Sequence, residues 1–128
     1  MERYNKWLVL GNSNKCNHTN SFHNNGFISW VQKSYPFQIG DIVFVYVKGA
    51  VRFKTVVEAL IDYRQDCEYW IEEAPQHPTF RLKLIKELDD DKLKEVNLAK
   101  YGFKGGRSLR HYIHKNVKLL DYIDNVFI

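Results

Sequence analysis

The 128-residue chain is poor in the residues that usually announce chemistry or location. It has only two cysteines, Cys16 and Cys67, and they fit no metal or redox spacing. Two free thiols in a reducing compartment, the cytoplasm, are therefore expected rather than a disulfide framework. No apolar run approaches the ~20 residues that a membrane helix requires, so no membrane partner is expected. The N-terminal residues Met1 to Lys6 carry no targeting pattern. There is no nucleophile elbow, phosphate-binding loop or dinucleotide fingerprint. Repeats, low-complexity tracts and linkers are also missing, and residues 1–128 read as a single domain.

What the chain does contain is aromatic and unevenly charged. It is 45% hydrophobic and 15% aromatic, with 3 Trp, 8 Tyr and 8 Phe. The net charge is +4, but it comes in blocks. Residues 1–57 carry 7 basic and 2 acidic side chains, residues 58–95 carry 6 and 11, and residues 96–128 carry 6 and 2. If the two basic blocks share a face, that face attracts polyanions.

The periodicities outline an α+β domain. Trp7-Leu8-Val9-Leu10 reads as a first, buried strand. Gly11 to Asn25 holds six asparagines and reads as a long polar loop. Residues 27–31 read equally as a short helix or as extended chain. After Gly40-Asp41, Ile42 to Val47 is a strand rich in β-branched and aromatic residues. Val51 to Leu60 is its hairpin partner after a turn at Gly49-Ala50. An acidic connection, Asp62 to Glu68, leads to a strand fragment at Tyr69-Trp70-Ile71. Pro75 and Pro78 bracket a loop, and Phe80 to Leu88 is another strand. Asp89-Asp90-Asp91 is placed to cap a helix bearing Leu93, Val96 and Leu98. Ser108 is placed to cap a second helix, and residues 117–128 suit a final helix that packs Leu119, Leu120 and Ile123. The sum suggests a small curled β-barrel with short flanking helices rather than a layered parallel sheet.

Few residues suggest a reaction. Cys16, His18 and His23 match no zinc spacing, and no metal or cofactor is expected. Lys48 with Glu58 is the only pair suited to a small hydrolase. The aromatics are better candidates, because flat bases stack on such rings. Trp30 follows a polar segment and Tyr46 ends a strand. Asn12, Ser13 and Ser29 are polar groups suited to reading the edge of a flipped base. Gly102-Phe103-Lys104-Gly105-Gly106-Arg107 is glycine-rich and basic, as a phosphate contact requires.

In order, Trp7-Leu8-Val9, Ile28-Ser29-Trp30, Ile39-Gly40-Asp41-Ile42-Val43-Phe44-Val45-Tyr46, Arg52 to Val57, Phe80 to Leu88 and Gly105 to Arg110 run through the whole chain. In that arrangement the chain resembles the EVE domain of the PUA-like superfamily, which is similar in fold to YTH and ASCH domains. The resemblance implies a nucleic-acid-binding module that flips a modified base, methylated cytosine or adenine in DNA, into an aromatic pocket. It implies no catalysis of its own, and a nuclease or NTPase effector as partner in a modification-dependent restriction system. Trp30 and Tyr46 would stack on the base, Asn12 and Ser29 would read its edge, and Lys48, Arg107 and Arg110 would hold phosphates. The alternatives are an RNA-binding PUA- or YTH-like module and an ASCH-like nucleoside hydrolase.

Overall fold

The computed structural model describes residues 5–32, 36–88, 90–103 and 116–128. Five strands form one curled, half-barrel sheet: β1 (Lys6–Gly11), β2 (Phe27–Val31), β3 (Ile42–Val47), β4 (Ala50–Ile61) and β5 (Thr79–Glu87). Helices α1 (His18–Asn25), α2 (Glu95–Leu98) and α3 (Val117–Val126) flank it. The strand order is β1-β3-β4-β5-β2, so β1 and β2 form the two edges. β1 runs parallel to β3, with Gly11 opposite Val47, and all other pairings are antiparallel.

Both faces of the sheet are covered, which explains the unbroken apolar runs of β1 and β3. Trp7, Val9, Val43, Val45 and Val47 point to one side, where they meet Phe22 of α1 together with Ile28, Phe53, Phe80 and Leu82. Leu8, Phe44 and Tyr46 point to the other side, onto Leu98, Phe103, Leu119, Leu120, Ile123 and Phe127. Helix α3 is also held by charge. Asp124 meets Lys54 at 2.7 Å and Lys6 at 3.1 Å. Burial alone would push the Asp124 carboxyl up, but the two lysines outweigh it and hold it below its ordinary value.

The Gly40-Asp41 pair has a defined job. Gly40 sits at φ 96°, a left-handed conformation that favours glycine. The turn brings the Asp41 side chain, 1% exposed, under the start of β1. Its Oδ2 accepts from the indole N–H of Trp7 and the backbone N–H of Gln38, both at 2.9 Å, and its Oδ1 accepts from the N–H of Asn5 at 3.2 Å. One carboxylate thus fastens the edge strand to the turn before β3.

Three local expectations change. Residues 18–25 are helical, not a loop. Asn17 caps α1 by accepting from the N–H of Asn20, Phe22 is buried, and Gly26 ends the helix at φ 79°. Burial of Phe22 and both caps outweigh the poor helix propensity of the asparagines. Residues 67–69 form a 3-10 turn, and Trp70 makes only an isolated bridge with Cys16, so no strand fragment forms there. The triple aspartate does not cap α2, which begins beyond Lys94 with no side-chain cap. Asp90 instead accepts from the N–H of Lys92 in a local turn, and Asp89 lies outside the described residues. The second helix expected after Ser108 also falls outside them.

Replacing Asp41 leaves the buried Trp7 N–H and two part-buried backbone donors without their acceptor, at about 1–3 kcal/mol for the buried one and less for the others. Asp41→Ala should therefore lower unfolding free energy by about 3 kcal/mol or more, read as a lower urea midpoint at unchanged slope. A midpoint within error of the natural protein would show that the carboxylate does not fasten β1.

Candidate functional site

A cleft of about 400 Å³ opens where β1 ends, between α1, β2 and the 64–77 segment. Leu10, Asn12, Lys15, Cys16 and His18 line it from the first side, Ser29, Trp30 and Val31 from β2, and Arg64, Trp70, Pro75 and His77 from the third. Its surface is mostly apolar, and the polar groups of its floor and just behind it are nearly dry: Cys16 and Ser29 are at most 2% exposed, His18 6% and Arg64 8%, with Asp66 fully buried behind them.

Asp66 organises that floor. Its Oδ2 accepts the backbone N–H of Ser29 at 3.0 Å. Its Oδ1 accepts from Arg64 Nη1 at 2.9 Å and from the indole N–H of Trp70 at 3.2 Å. Arg64 also donates through Nη1 to the Ser29 carbonyl at 3.2 Å and through Nε to the Pro75 carbonyl at 3.0 Å. Ser29 Oγ accepts the N–H of Gln65 at 3.1 Å. At Ser29 the outer backbone edge of β2 is therefore satisfied by an ion pair rather than by another strand. The Arg64 guanidinium lies 4.6 Å from the Trp70 ring centroid and covers one face of it.

His18 opens α1 directly after its cap, and its ring centroid lies 5.9 Å from that of Trp30. Its Nδ1 is sealed against Gly11, where an added Cβ would come within 3.2 Å, and takes no hydrogen bond among the described residues. Burial, assisted by Arg64 and only partly opposed by Asp66, pushes its pKa from 6.5 down to about 4, so the ring is neutral at pH 7. Burial, with Asp66 adding to it, pushes the Cys16 thiol up to about 12. Among the described residues no group of three or more His, Cys, Asp or Glu side chains gathers as metal ligands. His23, close to Cys16 in sequence, lies on the other side of α1 and pairs with Glu87 at 2.7 Å.

The residues singled out in the sequence are placed unequally. Asn12, Ser29 and Trp30 come together in the cleft, while Ser13 is not part of its lining. Tyr46 does not join them. Its backbone pairs with cleft residue Leu10, but its ring packs on Phe103 at 5.2 Å and its hydroxyl donates to Glu95 at 3.2 Å. The second indole of the cleft is Trp70 instead. Lys48 is exposed, one residue beyond the partner of Gly11, and so sits at the same end of the sheet as Asn12. Arg107 and Arg110 lie outside the described residues. Lys48 and Glu58 are not brought together: they flank most of β4, and Glu58 is bound by Arg81 at 3.0 Å and Lys83 at 3.5 Å. The signal for Trp70 was present in the sequence as a tryptophan just after the acidic connection, six residues after the arginine that covers it.

Comparison with known proteins returns no match, whether to a family model, a curated protein or a solved structure.

Two tests follow from the buried groups. The folded His18 titrates near 4 and the unfolded one near 6.5, so between these values the unfolded chain binds the extra proton. Stability should fall as pH falls through that window, by about 3 kcal/mol at its lower end. His18→Gln should remove that part of the acid sensitivity in urea titrations at a series of pH values; an unchanged acid slope would overturn the burial account. Thiol labelling should modify exposed Cys67 at once and Cys16 only on unfolding. Two fast thiols in the native protein would contradict a closed floor.

Proposed function

We propose that this chain is a nucleic-acid reader of PUA-like, EVE type, whose cleft takes one modified base flipped out of DNA. The observation that carries the reading is the pair of half-buried indoles, Trp30 and Trp70, on the walls of a cleft of about 400 Å³. That volume lies within the range of about 300–1,000 Å³ usual for small-molecule sites. Arg64 covers one face of Trp70 and helps to fix its ring.

The charge around the mouth fits the same reading. Lys15 and His77 are exposed on the lining, and Lys48 stands at the same end of the sheet. Asp62, Glu68, Glu72 and Glu73 are exposed along the 62–73 segment. A phosphate backbone would therefore approach over the β1–α1 side and be repelled from the opposite wall. Arg107 and Arg110 belong to this reading through the resemblance alone. Catalysis, in this reading, belongs to a nuclease or NTPase partner.

The test is a competition titration at fixed salt with methylated, hydroxymethylated and plain DNA and RNA, followed by mass spectrometry of the recovered strands. Trp30→Ala and Trp70→Ala should each weaken binding to the preferred modified duplex by about 1–3 kcal/mol, with a smaller effect on plain DNA. Equal affinity for modified and plain DNA would overturn the modified-base reading. Preference for RNA would favour the RNA-binding module, and a cleaved or deaminated product the hydrolase.

A further inference from the structure

We infer that Val31, the last residue of β2, reads the ligand with its main chain: its N–H and C=O take the acceptor and the donor that a base presents side by side on one edge. This rests on the base-binding reading above and deepens it, because a base held in this way must carry its modification elsewhere, on a ring carbon.

β2 has one neighbouring strand, so its main-chain groups divide between β5 and the free edge. The register decides which go where. Phe27 to Val31 face Lys83 to Thr79 in antiparallel order. Just beyond the two ends of that ladder, Gln32 donates its N–H to the Pro78 carbonyl at 3.2 Å and Leu84 donates to the Gly26 carbonyl at 2.8 Å. Opposed residues in such a ladder alternate between bonded and non-bonded pairs. Gly26, Ile28, Trp30 and Gln32 therefore turn to β5, while Phe27, Ser29 and Val31 turn their N–H and C=O to the free edge.

The fold provides partners for the first two of these three. The Phe27 carbonyl accepts from Ser21 Oγ at 2.6 Å. Ser29 gives its N–H to Asp66 and its carbonyl accepts from Arg64. Val31 is two residues further along the same edge, half-buried, and lines the cleft beside Trp30. Its N–H and C=O take no partner among the described residues. A donor and an acceptor on one residue of a strand edge are what a second strand would bond. A flat base supplies the same complement: cytosine carries its amino group next to a ring nitrogen with a lone pair. Substituents that remove the amino hydrogens or cover the ring nitrogen block this pairing, whereas a methyl at C5 leaves it open. The mostly apolar remainder of the lining suits the ring faces and such a methyl group.

Amide hydrogen exchange, followed by NMR on the natural protein, reads that main-chain bond directly. The protein is measured free and with a single-stranded oligonucleotide that carries one 5-methylcytosine, so that base-pairing costs do not enter. In the free protein the Val31 amide should exchange faster than the Ser29 amide, which Asp66 holds. The strand should slow exchange at Val31 by about tenfold or more, and an abasic strand should not. Deleting the amino group of the base, as in 5-methyl-2-pyrimidinone, should weaken binding by about tenfold. Val31→Pro, checked for folding by its melting temperature, deletes the N–H at an edge position where no ladder bond is lost and should weaken binding of the 5-methylcytosine strand by a similar factor. Val31→Ala keeps the main chain and should stay within about threefold of the natural protein. Equal affinities of the folded proline variant and the alanine variant overturn the inference. Should Val31→Pro fail to fold, hydrogen exchange and the two bases on the natural protein decide. A Val31 amide as protected as Ser29 in the free protein, or still unprotected when the base-bearing strand is bound, overturns the inference while the base-binding reading stands. Equal binding of 5-methylcytosine and 5-methyl-2-pyrimidinone does the same. Abasic and base-bearing strands bound alike would remove that reading, and the inference with it.

Discussion

Asp66 is a carboxylate with no exposed surface, and such a group persists only when its charge is paired and its oxygens are hydrogen-bonded. Arg64, two residues earlier, supplies the charge, and Ser29 and Trp70 supply the remaining hydrogens. Removing either member of a buried pair is much more costly than replacing both by apolar groups, so the two residues act as a unit. That unit ties the 64–70 segment, with its arginine and its indole, to strand β2, which lies 37 residues before Asp66 in sequence. The position of Trp70 beside the cleft, the neutral state of His18 and the raised thiol of Cys16 all depend on this pair or on the burial around it.

A second carboxylate, Asp41, does for β1 what Asp66 does for β2. Each edge strand of the half-barrel is held by a buried aspartate that receives at least one backbone N–H and one tryptophan N–H. In both cases a short acidic side chain reaches hydrogens that no neighbouring strand could satisfy. Both sites are specified by geometry more than by charge. A neutral amide of the same shape would accept one set of hydrogens but present its own N–H to donors that need an acceptor.

The core of the sheet was legible because its signals are local. Trp7 to Leu10, Ile42 to Val47, Val51 to Leu60 and Phe80 to Leu88 all lie within or largely within strands. Their apolar and β-branched content reports burial directly. Gly40-Asp41 was visible as a turn, though not as the anchor of Trp7. Helix α1 was not legible, because propensity reads its asparagines as loop, while the helix is decided by Phe22 packing on Phe53 at a ring distance of 4.3 Å. Trp30, Ser29 and Asn12 were read as neighbours in one site and do line one cleft. Tyr46 was misplaced because alternation along β3 has two buried faces to choose between, and sequence alone does not say which one meets the cleft. Trp70 was missed because its role comes from Asp66 and Arg64 across an irregular loop, where no period exists to count.

An open half-barrel has two exposed edges, and exposed edges invite pairing with other chains. Here the β2 edge is closed by side chains instead of by a strand. Side chains close an edge less completely than a strand, since they satisfy the backbone at Ser29 but leave space between the elements that carry them. The cleft is that space. Its floor therefore borders the groups that keep the sheet from pairing further, and one of its walls is Trp70, the indole held by those groups. The same coupling limits change: a substitution that re-aims Arg64 or Asp66 alters the floor and uncovers the strand edge together. Asn12, Lys15 and His77, by contrast, touch the cleft without holding the sheet.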